Sequence, residues 1–293
     1  MRQLVDPQIV ARKMGGRLLK NKFFKILFLI ATSISLIVLA ILIYRIFTQG
    51  IGYLTPEFFQ NFPSRLAERS GIKAALVGSI WLMGVTIPVS LILGVGTAIY
   101  LEEYAKKNKI NAIIQTNISN LAGVPSIVFG LLGLTVFVRF FGFERSILAG
   151  GLTMALLILP VIVVASQEAI RSVPGHLREA SYGMGASKWQ TIYRIVLPAA
   201  IPGILTGSIL AFSRAIGETA PLLVVGAFAF VNFLPESVMS TFTVMPIQIY
   251  NWASRPQAEF QDVAAAGIIV LFIFLIVMNS VAVAIRNKYS NRY

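Results

Sequence analysis

The sequence predicts an all-α polytopic membrane protein with six transmembrane helices, and three observations carry this prediction. Of the 293 residues, 56% are hydrophobic and only 13% are charged, with a mean hydropathy of +0.78. That is more apolar surface than one soluble core can bury. Several apolar runs are long enough to cross about 30 Å of hydrocarbon at 1.5 Å per residue. Lys and Arg also concentrate in alternate connections between these runs, as is typical of multispanning proteins.

Cysteine, histidine and net charge limit the kinds of site that the chain can hold. The absence of cysteine excludes a disulfide framework or a thiolate metal site, and a single histidine argues against a histidine metal site. In a multispanning protein the formal net charge of +13 is a topology signal rather than a sign of nucleic-acid binding. We therefore expect no metal, no cofactor and no nucleic-acid partner on this chain, and membrane lipid around it.

The N-terminal region predicts a basic cytoplasmic segment followed by one transmembrane helix. Residues 1–23 are rich in Lys and Arg, and the apolar run at 24–47 is long enough to span the membrane. Because no small-x-small cleavage site follows the run, we interpret it as a retained helix rather than a signal peptide. This helix and the external loop after it make up residues 24–72.

The second and third spans each contain a proline. Residues 74–101 predict a second span, broken by Pro88. Residues 111–141 predict a third, whose early part carries too many amide side chains to face lipid. Within it, the run GVPSIVFG at 123–130 should kink or interrupt the helix, because Pro125 has no amide hydrogen to donate and its ring crowds the preceding turn.

Three further spans are predicted at residues 147–166, 201–225 and 264–285. The long connection 226–263 lies between the last two and carries three prolines and several aromatic residues. A helix is expected near residues 243–254. It either contacts an external protein or lies as a lid at the membrane interface, where Trp and Tyr are common.

The distribution of Lys and Arg predicts the orientation. Six spans place both termini on one side, and that side carries 17 Lys and Arg against six on the other. The positive-inside rule therefore predicts that both termini are cytoplasmic, including a tail at 286–293. The connection 171–198 is then cytoplasmic, and the connection 226–263 is external.

The cytoplasmic connection 171–198 predicts two short helices. Pro174 and the following glycine mark a turn, residues 177–184 can form one helix, and Gly185 can end that helix. Trp189 and the apolar residues after it supply one face of a second helix, closed by Pro198. Short surface helices with exposed apolar and charged groups are typical of protein interaction sites, and an ordinary loop is the alternative.

The spacing of residues in this connection resembles the EAA loop of ABC-importer permeases. The matching positions are Glu179-Ala180-Ser181, Gly185, Ile195 and Leu197-Pro198, with Ser181 in place of the usual alanine. In that family the loop is a coupling helix that docks into a groove on a cytoplasmic ATPase. The resemblance covers roughly residues 73–285 and implies a permease core of type I ABC-importer architecture. The implied ATPase-coupling residues are Arg178, Glu179, Ala180, Ser181, Gly185, Ala186 and Ser187.

Three further runs are similar to the phosphate-transport permeases, and to the PstA-type subunit more than the PstC-type. They are SRAIGETAPLL at 213–223, REASYGMG at 178–185 and PSIVFGL at 125–131. The resemblance implies a phosphate path formed with a second, PstC-type permease. A PstB-type ATPase dimer would drive it and an external PstS-type phosphate-binding protein would supply it, so ATP hydrolysis would fall to another chain. The alternatives are a permease for another oxyanion (sulfate, molybdate or phosphonate), and a membrane-embedded enzyme or a membrane scaffold without transport.

Arg214 and Glu218 are the candidate substrate-path residues, with Ser213 and Thr219 as hydroxyl partners. Four residues apart, the charged pair would share one face of the fifth helix. Ionised side chains within spans usually face a bundle interior or a water-filled path. An Arg guanidinium offers a planar fork of donors to phosphate oxygens. Glu218 would hold Arg214 in place, or accept the proton of hydrogen phosphate and so disfavour sulfate. The alternative is an ion pair that only fixes helix packing.

Overall fold

The computed structural model describes residues 7–106, 108–228 and 230–290, and in these residues it contains helices and no strands. Arg2, Lys107 and Arg292, which enter the charge argument, lie outside the described residues, as do parts of the predicted terminal segments 1–23 and 286–293. The chain divides into two compact units, residues 1–49 and 50–293, which we describe separately.

The described part of the first unit is a single long helix, α1 (Pro7–Gly50), whose last residue belongs to the second unit. It begins well before the predicted residue 24, because Arg and Lys in the basic segment are good helix formers. Its apolar side chains, such as Ile34 and Leu36, are exposed along the helix, as expected of a surface that faces lipid. The predicted first span is therefore confirmed as a helix of spanning length and composition.

The second unit begins with short helical turns that lead into a long helix. The turns are Ile51–Tyr53, α2 (Pro56–Gln60) and Ala67–Arg69, and the long helix is α3 (Lys73–Ile99), extended by a π-helical turn at Tyr100–Tyr104. The prediction that Pro88 breaks this span is wrong, since the helix continues through it. Neighbouring helices and hydroxyl side chains can satisfy the backbone groups that a membrane proline leaves unpaired.

The third span is a bent pair of helices, as Pro125 predicts. Helix α4 (Lys109–Leu121) and helix α5 (Ser126–Gly133), which continues as a π-helical segment (Leu134–Phe140), meet at 105°. Pro125 lies four residues after the end of α4. A continuous helix would need its missing amide hydrogen to bond the carbonyl of Leu121, so the helix stops there.

The remaining helices complete the bundle around α6 (Ile147–Arg171), which packs against both α3 and the fifth span. They are α7 (Gly175–Gly183), α8 (Lys188–Thr191), the π-helical segment Ile192–Val196, α9 (Leu197–Gly217), α10 (Ala220–Val225), α11 (Met245–Ala253) and α12 (Glu259–Ser290). In the described residues, five helices are long and apolar enough to cross a membrane, and the number rises to six if the bent pair is counted as one span.

The fifth span begins earlier than predicted. Helix α8, the π-helical segment and α9 form one continuous helical run over Lys188–Gly217. The prediction that Pro198 closes a separate short helix is therefore wrong. Pro198 lies in the first turn of α9. Proline suits this position because its fixed φ is already helical, so the helical run continues through it.

Glycines allow α9 to approach α6 closely. A Cβ atom on Gly203 would lie 2.8 Å from the Cβ of Ala169, and one on Gly207 would overlap the Cβ of Ala165. Two small residues four apart on each helix thus face each other. Close backbone approach of this kind supplies the van der Waals contact that holds membrane helices together where lipid removes the hydrophobic driving force.

Helix α11 confirms the helix expected near 243–254, but most of it is buried rather than exposed. Met245, Ile247 and Trp252 are fully buried, and the indole nitrogen of Trp252 donates a hydrogen bond to the hydroxyl oxygen of Ser70 at 3.1 Å. The ring of Phe58 packs on the same indole. This face of α11 is therefore part of the core of the second unit.

Candidate substrate path and coupling surface

The fifth span is interrupted beside the candidate charged pair. Helix α9 ends at Gly217, Glu218 is extended (φ −76°, ψ 134°), and α10 begins at Ala220. Pro221 lies four residues after Gly217, so a continuous helix would lack one hydrogen bond and the proline ring would crowd the preceding turn. This corrects two expectations. The span 201–225 is not one helix, and Glu218 lies beyond the last helical residue instead of sharing a helix face with Arg214.

The two interrupted spans pack against each other. A Cβ atom on Gly130 of α5 would lie 2.7 Å from the Cα of Pro221 at the start of α10, so only glycine fits this contact. Both helices begin at a break marked by a proline: Pro125 immediately precedes α5, and Pro221 lies in the first turn of α10. In many transporters, discontinuous helices at membrane depth mark the place where substrate binds. The residues at the two breaks are therefore the candidates for contact with a substrate.

Arg214 and Glu218 form an ion pair across the break. The Nε atom of Arg214 lies 3.3 Å from Oε1 of Glu218, and their side chains are 50% and 19% exposed. Arg214 is thus half open at the surface of this chain. Its two terminal nitrogens make no hydrogen bond to any side chain or backbone group in the described part of the molecule. Four N–H donors of the guanidinium are therefore available to an oxyanion.

Ser213, next to Arg214, bonds a partner on α12 that sequence analysis missed. The Ser213 hydroxyl lies 2.7 Å from Oδ1 of Asn279 and 2.8 Å from the carbonyl oxygen of Ile209. Asn279 is about 16 Å from the nearer end of α12, at 1.5 Å per residue. A hydroxyl can donate only one hydrogen bond, and Ser213 donates it to one of these two protein acceptors. A lone amide in an apolar helix was the signal that could have identified Asn279.

Thr219 occupies the break itself. It is partly exposed, precedes α10, and makes no hydrogen bond that caps the helix with its side chain. The predicted path residues therefore come together as a cluster around the end of α9, but with different capacities. Arg214 and Thr219 have hydrogen-bond donors without a partner among the described residues, whereas Ser213 and Glu218 bond to other protein groups. Among the described residues, no three His, Asp or Glu side chains are grouped so that they could hold a metal ion.

The predicted coupling residues lie on and after α7. This helix spans Gly175–Gly183, close to the predicted 177–184, and Gly185 has the positive φ of +82° that ends it. Glu179, Ala180, Gly185 and Ser187 are exposed and Ala186 is half-buried. The surface is thus open to a partner at the positions that the resemblance marks.

Two coupling residues hold the surface together from within. The guanidinium of Arg178 donates to the carbonyl oxygens of Val173 at 2.7 Å and Ile170 at 2.9 Å, which joins α7 to the end of α6. Ser181 is only 4% exposed, and its hydroxyl lies 2.9 Å from that of Thr191 in α8. Arg178 and Ser181 therefore fix the position of α7, while Glu179 and its exposed neighbours form the surface that the resemblance marks.

Ser181→Ala should have a small effect, even though it removes the contact between α7 and α8. Thr191 keeps a second hydrogen bond to the carbonyl of Ser187 at 3.1 Å, so no buried hydroxyl is left unpaired. We expect a loss of roughly 0.5–1.5 kcal/mol of stability and uptake within twofold of wild type. Thermal unfolding and transport assays check this, and a loss of transport comparable to that of an Arg178 variant would contradict it.

An exposed aromatic pair borders the same surface. The rings of Trp189 and Tyr193 stack with centroids 6.2 Å apart, and both residues are exposed at the start of the continuous run into α9. Ser187 caps this run through a reciprocal capping box with Gln190. Large exposed aromatic side chains next to charged groups are frequent anchors in protein interfaces.

Comparison with known proteins identifies the fold and family. The family described as "Binding-protein-dependent transport system inner membrane component" matches residues 87–291. A probable ABC transporter permease protein, YqgI of Bacillus subtilis, is 33% identical over 91% of this chain and 95% of its own length. The phosphate transport system permease protein PstA 1 of Mycobacterium tuberculosis is 35% identical over 97% of this chain and 94% of its own length.

Solved structures share the same architecture. A bacterial ABC transporter involved in the import of alginate superposes with a TM-score of 0.63, at 16% identity, over 93% of this chain and 99% of that one. The MetNI methionine ABC transporter gives 0.61, at 15% identity, over 74% and 95%. These likenesses confirm the predicted type I ABC-importer permease architecture. The chain is a multi-pass membrane protein and belongs to the family of binding-protein-dependent transport system inner membrane components.

Proposed function

We propose that this chain is the PstA-type permease subunit of an ATP-driven importer of inorganic phosphate. It forms the phosphate path with a second, PstC-type permease. The proposal is supported by relatives named as phosphate transport permeases that are 30–35% identical over most of the chain. The single observation that carries it is the guanidinium of Arg214, which presents unpaired donors beside a helix break within the membrane-spanning bundle.

The arrangement at the break suits hydrogen phosphate. The fork of Arg214 can donate two parallel hydrogen bonds to two phosphate oxygens, and charge-assisted bonds of this kind are about twice as strong as neutral ones. Glu218 holds the Nε side of the guanidinium, so the terminal nitrogens stay directed away from it. A carboxylate can also accept a hydrogen bond from the acidic proton of hydrogen phosphate, which sulfate lacks at neutral pH.

The coupling surface belongs to the same proposal. Both termini and the connection 171–198 lie in the cytoplasm, where α7 and the residues after it dock on a PstB-type ATPase dimer. A PstS-type phosphate-binding protein delivers the anion on the other side. Residues 73–285 then form the permease core, preceded by the first span and its external loop. Support comes from the exposed positions of Glu179 and Gly185 and from the excess of Lys and Arg on one side.

Reconstituted uptake tests the proposal. The chain is assembled in vesicles with the PstC-type permease, the PstB-type ATPase and the PstS-type binding protein. ATP-dependent uptake of labelled phosphate is then measured with and without this subunit. We expect uptake only in the complete complex. A tenfold excess of unlabelled sulfate, molybdate or phosphonate should reduce it far less than unlabelled phosphate does. Equal or stronger competition by one of these anions would identify that anion as the substrate, and ATPase-independent uptake would contradict the coupling.

A further inference from the structure

The π-helical turn Tyr100–Tyr104 at the end of α3 touches the cytoplasmic connection at several points. Three consecutive side chains, Glu102, Glu103 and Tyr104, each contact a different part of α6–α8. The backbone joins the connection 171–198 to the fourth and fifth spans only. These side-chain contacts therefore add a link between the coupling surface and the second span.

Glu103 makes the most enclosed of these contacts. Its Oε1 atom accepts hydrogen bonds from Nη2 of Arg178 at 3.0 Å and from Nε at 3.3 Å. The Glu103 side chain is 9% exposed and that of Arg178 is 22% exposed, so both charges are largely removed from water. Arg178 also bonds two backbone carbonyls, as described above. One guanidinium thus ties α7 to the end of α6 and to the end of α3.

Glu102 and Tyr104 reinforce this link on either side. The carboxylate of Glu102 accepts two hydrogen bonds from Arg171, at 2.7 and 2.8 Å, and one from the amide of Gln167 at 2.9 Å. The ammonium of Lys188, the first residue of α8, lies 4.9 Å from the ring centre of Tyr104. A bidentate Arg–carboxylate pair fixes both distance and orientation, so the end of α6 and the turn hold one geometry.

We propose that the turn Tyr100–Tyr104 transmits movement of the coupling surface to the second span, with Glu103 as the positioning residue. The inference rests on the proposed function, because it assumes that an ATPase moves α7. Displacement of α7 carries Arg178 with it. Since separating Arg178 from Glu103 would leave a poorly hydrated charge without its partner, the end of α3 follows. π-Helical turns recur at functional positions in helices, and this turn, which is wider than an α-helical one, is a point at which α3 can bend.

The test compares ATP hydrolysis with transport in the complete complex. Glu103→Gln keeps the size of the side chain and removes its charge, and Glu103→Asp keeps the charge on a shorter side chain. Arg178→Lys keeps the charge and removes the fork. The matched control is Glu168→Gln, since Glu168 is exposed and makes a single contact with Arg171 at 3.2 Å. Each variant is scored by the ratio of ATP hydrolysed to phosphate transported.

We expect Glu103→Gln to raise this ratio by about tenfold, within the range of typical coupling energies, while hydrolysis stays within twofold of wild type. Glu103→Asp and Arg178→Lys should lie between it and wild type, and Glu168→Gln should match wild type. A purely structural role would lower hydrolysis and transport together. An unchanged ratio in an assembled Glu103→Gln complex overturns the inference, and so does a failure of Glu103→Gln, Glu103→Asp and Arg178→Lys all to assemble with the ATPase.

Failure of the proposed function has a different signature. If the wild-type complex takes up another oxyanion and not phosphate, the substrate assignment is overturned and the ratio is measured with that anion. If the wild-type complex shows no ATP-driven uptake, both proposals are overturned. If the ratio of ATP hydrolysed to phosphate transported is equally low in wild type and in Glu103→Gln, only the link through the second span is overturned.

Discussion

Replacing Arg214 by alanine should lower phosphate uptake by at least tenfold while the complex still assembles. The guanidinium is half exposed and its terminal nitrogens are unpaired in the described chain, so its removal costs little packing. It removes charge-assisted hydrogen bonds to the anion, each worth about 1.5–3 kcal/mol. Initial rates of labelled phosphate uptake in reconstituted vesicles measure the effect, with stoichiometric co-purification of the ATPase as the check on assembly.

Two further variants at the break separate charge from geometry. Arg214→Lys keeps the charge and loses the fork, so we expect uptake between those of wild type and the alanine variant. If Glu218 only holds the guanidinium, Glu218→Gln lowers uptake of phosphate without a change in selectivity. If Glu218 accepts the proton of hydrogen phosphate, the same variant weakens discrimination against sulfate. Wild-type uptake in both Arg214→Lys and Glu218→Gln would leave the pair with a packing role alone.

Gly207→Leu should disrupt the bundle itself. Even a single Cβ atom at this position would overlap Ala165, so a larger side chain must separate α9 from α6. Overpacking of this kind costs about 1–3 kcal/mol or more. We expect a clear drop in the thermal unfolding temperature and in the amount of chain recovered from membranes, measured on the purified complex by thermal unfolding and by quantitative blotting.

Matched variants show whether close approach is the cause. Gly16→Leu is the control, because no atom lies within 4 Å of a Cβ placed on Gly16 in α1. Gly207→Ala should be milder than Gly207→Leu, and adding Ala165→Gly should restore part of the lost stability because it removes the overlapping atom. Equal unfolding temperatures for Gly207→Leu and Gly16→Leu would contradict this account of the α6–α9 contact.

The apolar runs predicted the spans well, because bilayer thickness sets how long such a helix must be. Local patterns predicted the break at Pro125 but missed the one beside Pro221, and they wrongly predicted a break at Pro88. Pro125 and Pro221 follow breaks, whereas α3 continues through Pro88 and α6 through Pro160. In a continuous helix each of these prolines would remove one backbone hydrogen bond. The surrounding packing decides whether the helix tolerates the loss, and that packing is not visible in a local pattern.

Motif spacing located the candidate sites but not their partners. The EAA-like spacing identified Arg178 and Glu179, and the charged residues in the fifth span identified Arg214. Glu103 contacts Arg178 across a separation of 75 residues, and Asn279 contacts Ser213 across 66. Contacts between distant parts of the chain depend on how whole helices pack. A single sequence gives no periodicity that reveals them.

The helical run Lys188–Gly217 contains no loop, so a movement at one of its ends can pass through the helix to the other. Trp189 beside the coupling surface and Arg214 beside the break are about 38 Å apart along it, at 1.5 Å per residue. If the end beside Trp189 is the pivot, a tilt of about 10° shifts the guanidinium by about 7 Å, which is more than the reach of a hydrogen bond. The π-helical segment Ile192–Val196 and Pro202 lie within this run and are places where it can bend, but no loop lies between Trp189 and Arg214.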